Sequence, residues 1–332
     1  AGFRDFAAQI MSPDEFNYLS QYVVPVLIDA RPFGKYSMVD IDENGGVQVI
    51  VKELLEAGLL NGDTLTCTGE TLGQQIKRLD PPGPDGTVIY TVKEPYKPTG
   101  GLRVLGGNLS QDNSAVLKLA GVEGGLENNV FVGKARVFDS EADLLHSLEN
   151  EPHIFKDHDM VTVRYEGPSG APGMPEMLDS TSRITTLCRE QEIVVGLMTD
   201  ARFSGGSVGL VIGHVGPEAA LGGPIAYIED GDDIVVDLNS NEINCPPLDN
   251  DSTLSARKAG WDKAVKDNGG THPAIGGADT RLLNRMRRSA VSAVFGAGMH
   301  PDRELWVPAA RAPEMTGFVP SNKYREGSAK AF

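Results

Sequence analysis

The stretch Ile193-Val194-Val195-Gly196-Leu197-Met198-Thr199-Asp200-Ala201-Arg202-Phe203-Ser204-Gly205-Gly206 decides how the chain is read. Its first half is short and almost wholly apolar, the pattern of a strand buried on both faces. It then breaks into a charged, glycine-rich turn holding one serine. A buried strand fixes position and glycines let backbone and ligand come close, so such a turn is a common way to build a site. It is not the G-x-S-x-G elbow of the hydrolases, because Arg202 stands two places before Ser204. No Gly-Lys-Ser/Thr follows, so it is not a phosphate loop. Taken alone, it reads equally well as an ordinary strand-to-loop turn.

A second loop lies upstream, Arg164-Tyr165-Glu166-Gly167-Pro168-Ser169-Gly170-Ala171-Pro172-Gly173-Met174-Pro175-Glu176-Met177, after its own apolar strand Met160-Val161-Thr162-Val163. Two strand-terminal loops, one ending in the carboxylate of Glu176 and one in the hydroxyl of Ser204, are suited to meet at one pocket.

Composition bounds the rest. The 332 residues suffice for two domains of ordinary size, and 40% hydrophobic with 23% charged residues marks a globular chain. No apolar run approaches the ~20 residues of a membrane span. The net charge of −16, from 46 acidic and 30 basic residues, argues against nucleic acid or an anionic membrane as partner. An acid-binding site here needs local positive charge, such as a metal. Cys67, Cys188 and Cys245 are far apart and form no C-x-x-C pair. They read as small buried hydrophobes in a reducing compartment, the cytoplasm or an organelle matrix, not as metal ligands. The N-terminus shows neither a signal peptide nor a clear transit peptide and reads as cut from something longer.

In chain order, Ser12-Pro13 starts a helix, residues 23–28 read as a strand, and Val47, Ile50, Val51, Leu54 and Leu55 repeat at helical spacing up to Gly58. This is the end of an α/β layer. Residues 80–86, Asp-Pro-Pro-Gly-Pro-Asp-Gly, read as a linker. Short strands then recur between glycine turns, at 88–92, 102–105, 115–119, 133–138, 160–165, 193–198, 208–212, 225–228 and 234–238. One helix interrupts them, from Ser140 to about Glu149. This is the pattern of a β-barrel or a sandwich. Gly231-Asp232 reads as a hairpin turn. Two helices follow, at 253–267 with Trp261 and at 279–295 with the basic run Arg285-Met286-Arg287-Arg288, read as a solvated face or a clamp onto acidic surface. The expected domains are 1–79, the C-terminal part of an α/β domain; 80–250, a β-barrel domain carrying the serine; and 251–332, a helical extension.

The blocks "RYEGPSGAPGMPEM", "MTDARFSGG" and "GHVGPEAALGGPIA" closely resemble the dihydroxy-acid and sugar-acid dehydratases. So do "GKYSMVDIDENGGV", "LLEAGLLNGDTLTCTGETL", "KPTGGLRVLGGNL" and "GKARVFDSE", in order from about Pro25 to about Cys245. The resemblance selects the barrel, with helices packed outside it. It implies a hydro-lyase that removes water from a 2,3-dihydroxy carboxylic acid to give a 2-keto acid. By matched motif, Glu176 resembles the family's magnesium-binding glutamate, and Ser204 its catalytic base, working as an alkoxide with cations nearby to lower its pKa. His214, in Gly-His-Val, is a rival acid/base but reads more readily as a structural histidine.

The family's iron–sulfur cysteines and remaining magnesium ligands, one of them a carbamylated lysine, belong to an α/β domain ahead of this part. The chain is therefore expected to act with the N-terminal half of the same enzyme, as a homodimer, with Mg²⁺ and an iron–sulfur cluster whose ligands lie outside it. Phe203 and the "LTCTG" block favour dihydroxy-acid dehydratase of branched-chain amino acid biosynthesis. Asp200-Ala201-Arg202 resembles the pentonate and gluconate dehydratases, and a non-catalytic binding module that kept the fold is a third reading.

Overall fold

In the computed structural model, residues 12–31, 34–111, 113–119, 124–203, 209–275, 280–293 and 296–299 are described. The chain divides into two compact units between Gly101 and Leu102.

The first unit is built from short helices. Helix α1, Pro13–Tyr22, starts in a capping box in which Ser12 and Glu15 satisfy each other's backbone N–H. Helix α2, Met38–Glu43, is capped in the same way by Ser37 and Asp40. Helix α3, Val47–Glu56, buries Val49 completely. Helix α4 spans Leu72–Leu79. Ala30, Ile41, Val49, Val88 and Ile89 form the core of this unit. The expected strands at 23–28 and 88–92 are reduced to single bridges, Val26 with Lys97 and Ile28 with Ile89. Pro25 interrupts the first run and has no N–H for a ladder.

The second unit is a nearly closed eight-stranded sheet flanked by helices, as expected. Its strands are β1 Leu102–Leu105, β2 Ala115–Lys118, β3 Val130–Phe138, β4 Asp159–Val163, β5 Gly196–Thr199, β6 Val211–Gly213, β7 Asp233–Asp237 and β8 Glu242–Asn244. The order is β1-β2-β6-β5-β4-β3-β7-β8. A bridge between Gly106 and Glu242 joins the two ends, with Ile243 N–H donating to Gly106 O at 2.9 Å.

Strands β3, β4, β5 and β6 are mutually parallel, and the remaining pairs are antiparallel. Parallel neighbours require crossovers, which helix α5, Glu141–Asn150, and helix α6, Leu178–Gln191, supply outside the sheet. Alternation sorts the side chains. Met160, Met198 and Ile212 point into the barrel with Phe131 and Ile234, while Val161, Val163, Leu197 and Val211 meet Leu144, Ile184 and Leu187 of α5 and α6. Strands β4 and β5 are therefore buried on both faces. This topology makes β4, β5 and β6 all end at the same side of the sheet, where their exit loops are neighbours.

Three elements differ from the sequence expectation. Helix α6 stands where only one helix was expected among the strands. The apolar run 225–228 is not a strand but a 3-10 turn, Pro224–Tyr227, with proline at its start, so Gly231-Asp232 closes no hairpin. The last expected helix shortens to α8, Arg281–Ser289; Ala290 leaves it extended and bridged to Met299, and both Ala290 and Val291 are buried. The helix before it, α7, spans Asp251–Asp267 and packs Trp261 and Leu254 onto the barrel core.

Candidate active site

The exit loop of β4 runs from Arg164 to Met177 and ends beside the exit of β5. Glu176 and Arg202 form a parallel bridge, and Met177 N–H points at Arg202 O at 3.5 Å. The Arg202 guanidinium is held by Nε donating to Met174 O at 2.9 Å, which sets Nη1 at 3.7 Å from Glu176 Oε2. Both side chains remain partly exposed, so the carboxylate is presented and not sequestered. Glu176 also directly precedes Met177, the N-cap of α6, where a negative charge is favoured. The sequence-expected convergence therefore exists for the Glu176 loop and the Arg202 turn. Ser204 itself lies outside the described residues.

The start of the same loop is pinned by a residue with no role assigned from the sequence. Asp200 is buried, and both of its oxygens accept from backbone: Oδ1 from Glu166 N at 3.0 Å, Oδ2 from Tyr165 N at 3.1 Å and Ala219 N at 2.9 Å. Burial pushes its carboxyl up to about 6, and the three amides pull the other way. Glu218, on the turn after β6 and also buried, accepts from Ser169 N at 2.9 Å. These contacts explain two glycines of the loop. A Cβ at Gly167 would stand 2.3 Å from Glu218 Oε2, and one at Gly170 would stand 2.1 Å from Tyr165 O. Glu166 reaches the other way and accepts from Glu141 N at the start of α5, with burial raising its pKa.

His214 follows β6 in a left-handed backbone conformation, φ 57°, with its N–H donating to Ala201 O at 2.8 Å. Burial, then the charge of Arg202, lowers its pKa below the ordinary value of 6.5. Both effects disfavour the charged imidazolium at this position.

Glu176 is suited to be one oxygen ligand, but a magnesium ion demands octahedral coordination, and among the described residues no group of three or more His, Cys, Asp or Glu is placed to hold a metal ion. A whole magnesium site does not fit them. The three cysteines do not fit a cluster either: Cys67 is exposed and lies in the first unit, Cys188 is half-buried on α6, and Cys245 is buried, its thiol pushed up to about 12 by burial. Exposed Cys67 is also not the buried hydrophobe expected. No helix among the described residues is long and apolar enough to cross a membrane.

The missed residues left faint signals. Asp200 is a carboxylate directly after a strand buried on both faces, where a charge needs a specific partner.

Residues 87–297 match the dihydroxy-acid/6-phosphogluconate dehydratase C-terminal domain, and residues 6–75 match the N-terminal domain of the same family. A dihydroxy-acid dehydratase of Leifsonia xyli subsp. xyli is 44% identical over 248 residues, covering 75% of this chain and 42% of that protein. One from Pyrobaculum aerophilum is 48% identical over 225 residues, 68% of this chain and 38% of that protein. One from Mycobacterium leprae is 44% identical over 228 residues, 69% and 39% respectively. The chain thus spans about two fifths of the length of these relatives. With its matched segments covering most of its length, the chain belongs to the dihydroxy-acid/6-phosphogluconate dehydratase family.

Proposed function

We propose that this chain is the catalytic-base part of a hydro-lyase that dehydrates a 2,3-dihydroxy carboxylic acid to a 2-keto acid. The observation that carries the reading is the Glu176–Arg202 bridge, which sets a presented carboxylate beside the turn that runs into Ser204. Loss of the C2 proton needs a base, and Ser204, by its matched motif, is that base. A serine hydroxyl is a weak acid, so it requires positive charge nearby. Arg202, two residues before it, contributes one such charge from this chain. Glu176 offers an oxygen ligand to a divalent ion completed by groups outside the described residues; when bound, such an ion stabilises enolate charge. His214 is not needed as a base in this scheme.

Iron–sulfur cysteines, the remaining magnesium ligands, the N-terminal half of the enzyme and a homodimeric state are part of the same proposal. So is a location in the cytoplasm or an organelle matrix. Phe203 and the "LTCTG" block, in a chain whose relatives are dihydroxy-acid dehydratases, favour 2,3-dihydroxy-3-methylbutanoate as substrate, hence branched-chain amino acid biosynthesis. Asp200-Ala201-Arg202, similar to the sugar-acid enzymes, keeps pentonate or gluconate as the second reading.

The test is an assay of the full-length protein on 2,3-dihydroxy-3-methylbutanoate and on pentonates. Turnover of the former is expected. Preference for a pentonate moves the assignment to the second reading, and no turnover of any such acid leaves a binding module.

A further inference from the structure

We propose that Asp200, seconded by Glu218, is a positioning residue that holds the exit loop of β4 in register with the exit of β5. The proposal rests on the functional reading of Glu176 and Ser204 given above. Asp200 stands one residue past β5, and its two oxygens take amides from two different segments, Tyr165 and Glu166 on one side and Ala219 on the other. The loop that begins at those first two amides ends at Glu176, which bridges Arg202 two residues beyond Asp200. Both ends of the loop are thus tied to the same three-residue stretch, and its middle is tied by Ser169 N to Glu218.

The conformation needs holding. Tyr165 sits at φ 67°, a region that a bulky side chain seldom adopts unless the surroundings impose it. Asp200 is also a costly choice for packing alone. Among the described residues no Lys, Arg or His ion-pairs with it, and its ionised form is disfavoured by burial. A carboxylate in such a place has one chemical advantage over an amide: it accepts at both oxygens and donates at neither. Three converging N–H groups are met in full only by the ionised carboxylate, whose burial costs global stability while it fixes the loop. An asparagine there turns one end into a donor facing an amide N–H.

The experiment uses the intact full-length protein, wild type and Asp200→Asn, with Glu218→Gln as second variant. Amide hydrogen exchange is followed in peptides covering 164–170 and 217–222, with β7 as internal reference, and kcat and KM are measured per folded enzyme. Asp200→Asn is expected to speed exchange in both segments at least about tenfold and leave β7 unchanged. It should also lower kcat by about 30-fold or more with KM within about threefold, as expected when groups are misplaced rather than removed. Glu218→Gln is expected to speed exchange only in the 164–170 peptide, with a smaller fall in kcat, and it decides the matter if Asp200→Asn does not fold. Wild-type exchange in both segments, a rise that β7 shares equally, or local loosening with unchanged kcat each overturns the proposal. Should the wild type turn over no dihydroxy acid, the functional reading fails, while the exchange data still test the clasp.

Discussion

Arg202 Nη1 stands 3.7 Å from Glu176 Oε2 while its Nε is committed to the carbonyl of Met174, so the guanidinium spans the end of one strand-exit loop from the start of the next. An ion pair this exposed adds at most about 1 kcal/mol to stability. Its effect lies in where it puts the carboxylate.

Arg202→Met should therefore change the unfolding free energy by less than about 1 kcal/mol. It should lower kcat/KM in the full-length enzyme by about 10–100-fold, the usual cost of losing a partner that orients a metal-binding group. Thermal unfolding and steady-state kinetics on one preparation separate the two effects. Activity within twofold of wild type would show that Glu176 is placed without Arg202.

Asp200 makes a pH prediction of definite sign. Its carboxyl titrates near 3.8 when unfolded and near 6 when folded, because burial disfavours the charge. The folded state holds the proton more tightly, so this group's contribution to stability is fully present below pH about 4 and is lost as pH rises through about 6. The loss is about 3 kcal/mol. Asparagine does not titrate. Urea unfolding of wild type and Asp200→Asn at pH 4 and pH 7.5 should show their stability difference moving toward the variant by about that amount. A pH-independent difference would mean that the carboxylate titrates alike in both states.

His214 offers a test of the local field. Burial and Arg202 both depress its pKa, with burial the larger cause. Its imidazole resonances should titrate below 6.5, and Arg202→Met should raise that midpoint without restoring 6.5. A folded pKa below the unfolded one also means stability is present above about 6.5 and is lost as pH falls below it. A midpoint above 6.5 would contradict the burial seen here and revive His214 as a charged participant.

The strands β4, β5 and β6 were legible as short apolar runs bounded by glycine turns, a pattern set by burial on both faces, while the choice of a barrel over a sandwich came from the family resemblance. Helix α6 escaped because half of its buried face is polar: Ser180 and Thr181 sit inward with Ile184 and Leu187. Thr181 Oγ1 satisfies itself on the carbonyls of Met177 and Leu178, so no apolar stripe announces the helix. Strand β8 is three residues long and exists by pairing with β7 and Gly106, a tertiary condition. Glu176 is proposed through its motif. Asp200 has no part legible in the sequence, because its contacts are amides of two remote segments that only the folded chain brings to it.

The proposed mechanism depends most on Ser204. If it is the base, Ser204→Ala in the full-length enzyme should nearly abolish turnover and leave the fold intact. Loss of one small hydroxyl from a glycine-rich turn costs about 1 kcal/mol or less unless it holds a buried hydrogen bond. A positioned general base contributes roughly 10²–10⁴-fold in rate, so the two effects separate by magnitude. Exchange of the substrate C2 proton with solvent is the sharper readout, because it reports proton abstraction apart from hydroxide departure. Exchange at near wild-type rate in the alanine variant would remove Ser204 from that role. His214, half-buried and held to Ala201 beside Arg202, would then be the next group to replace.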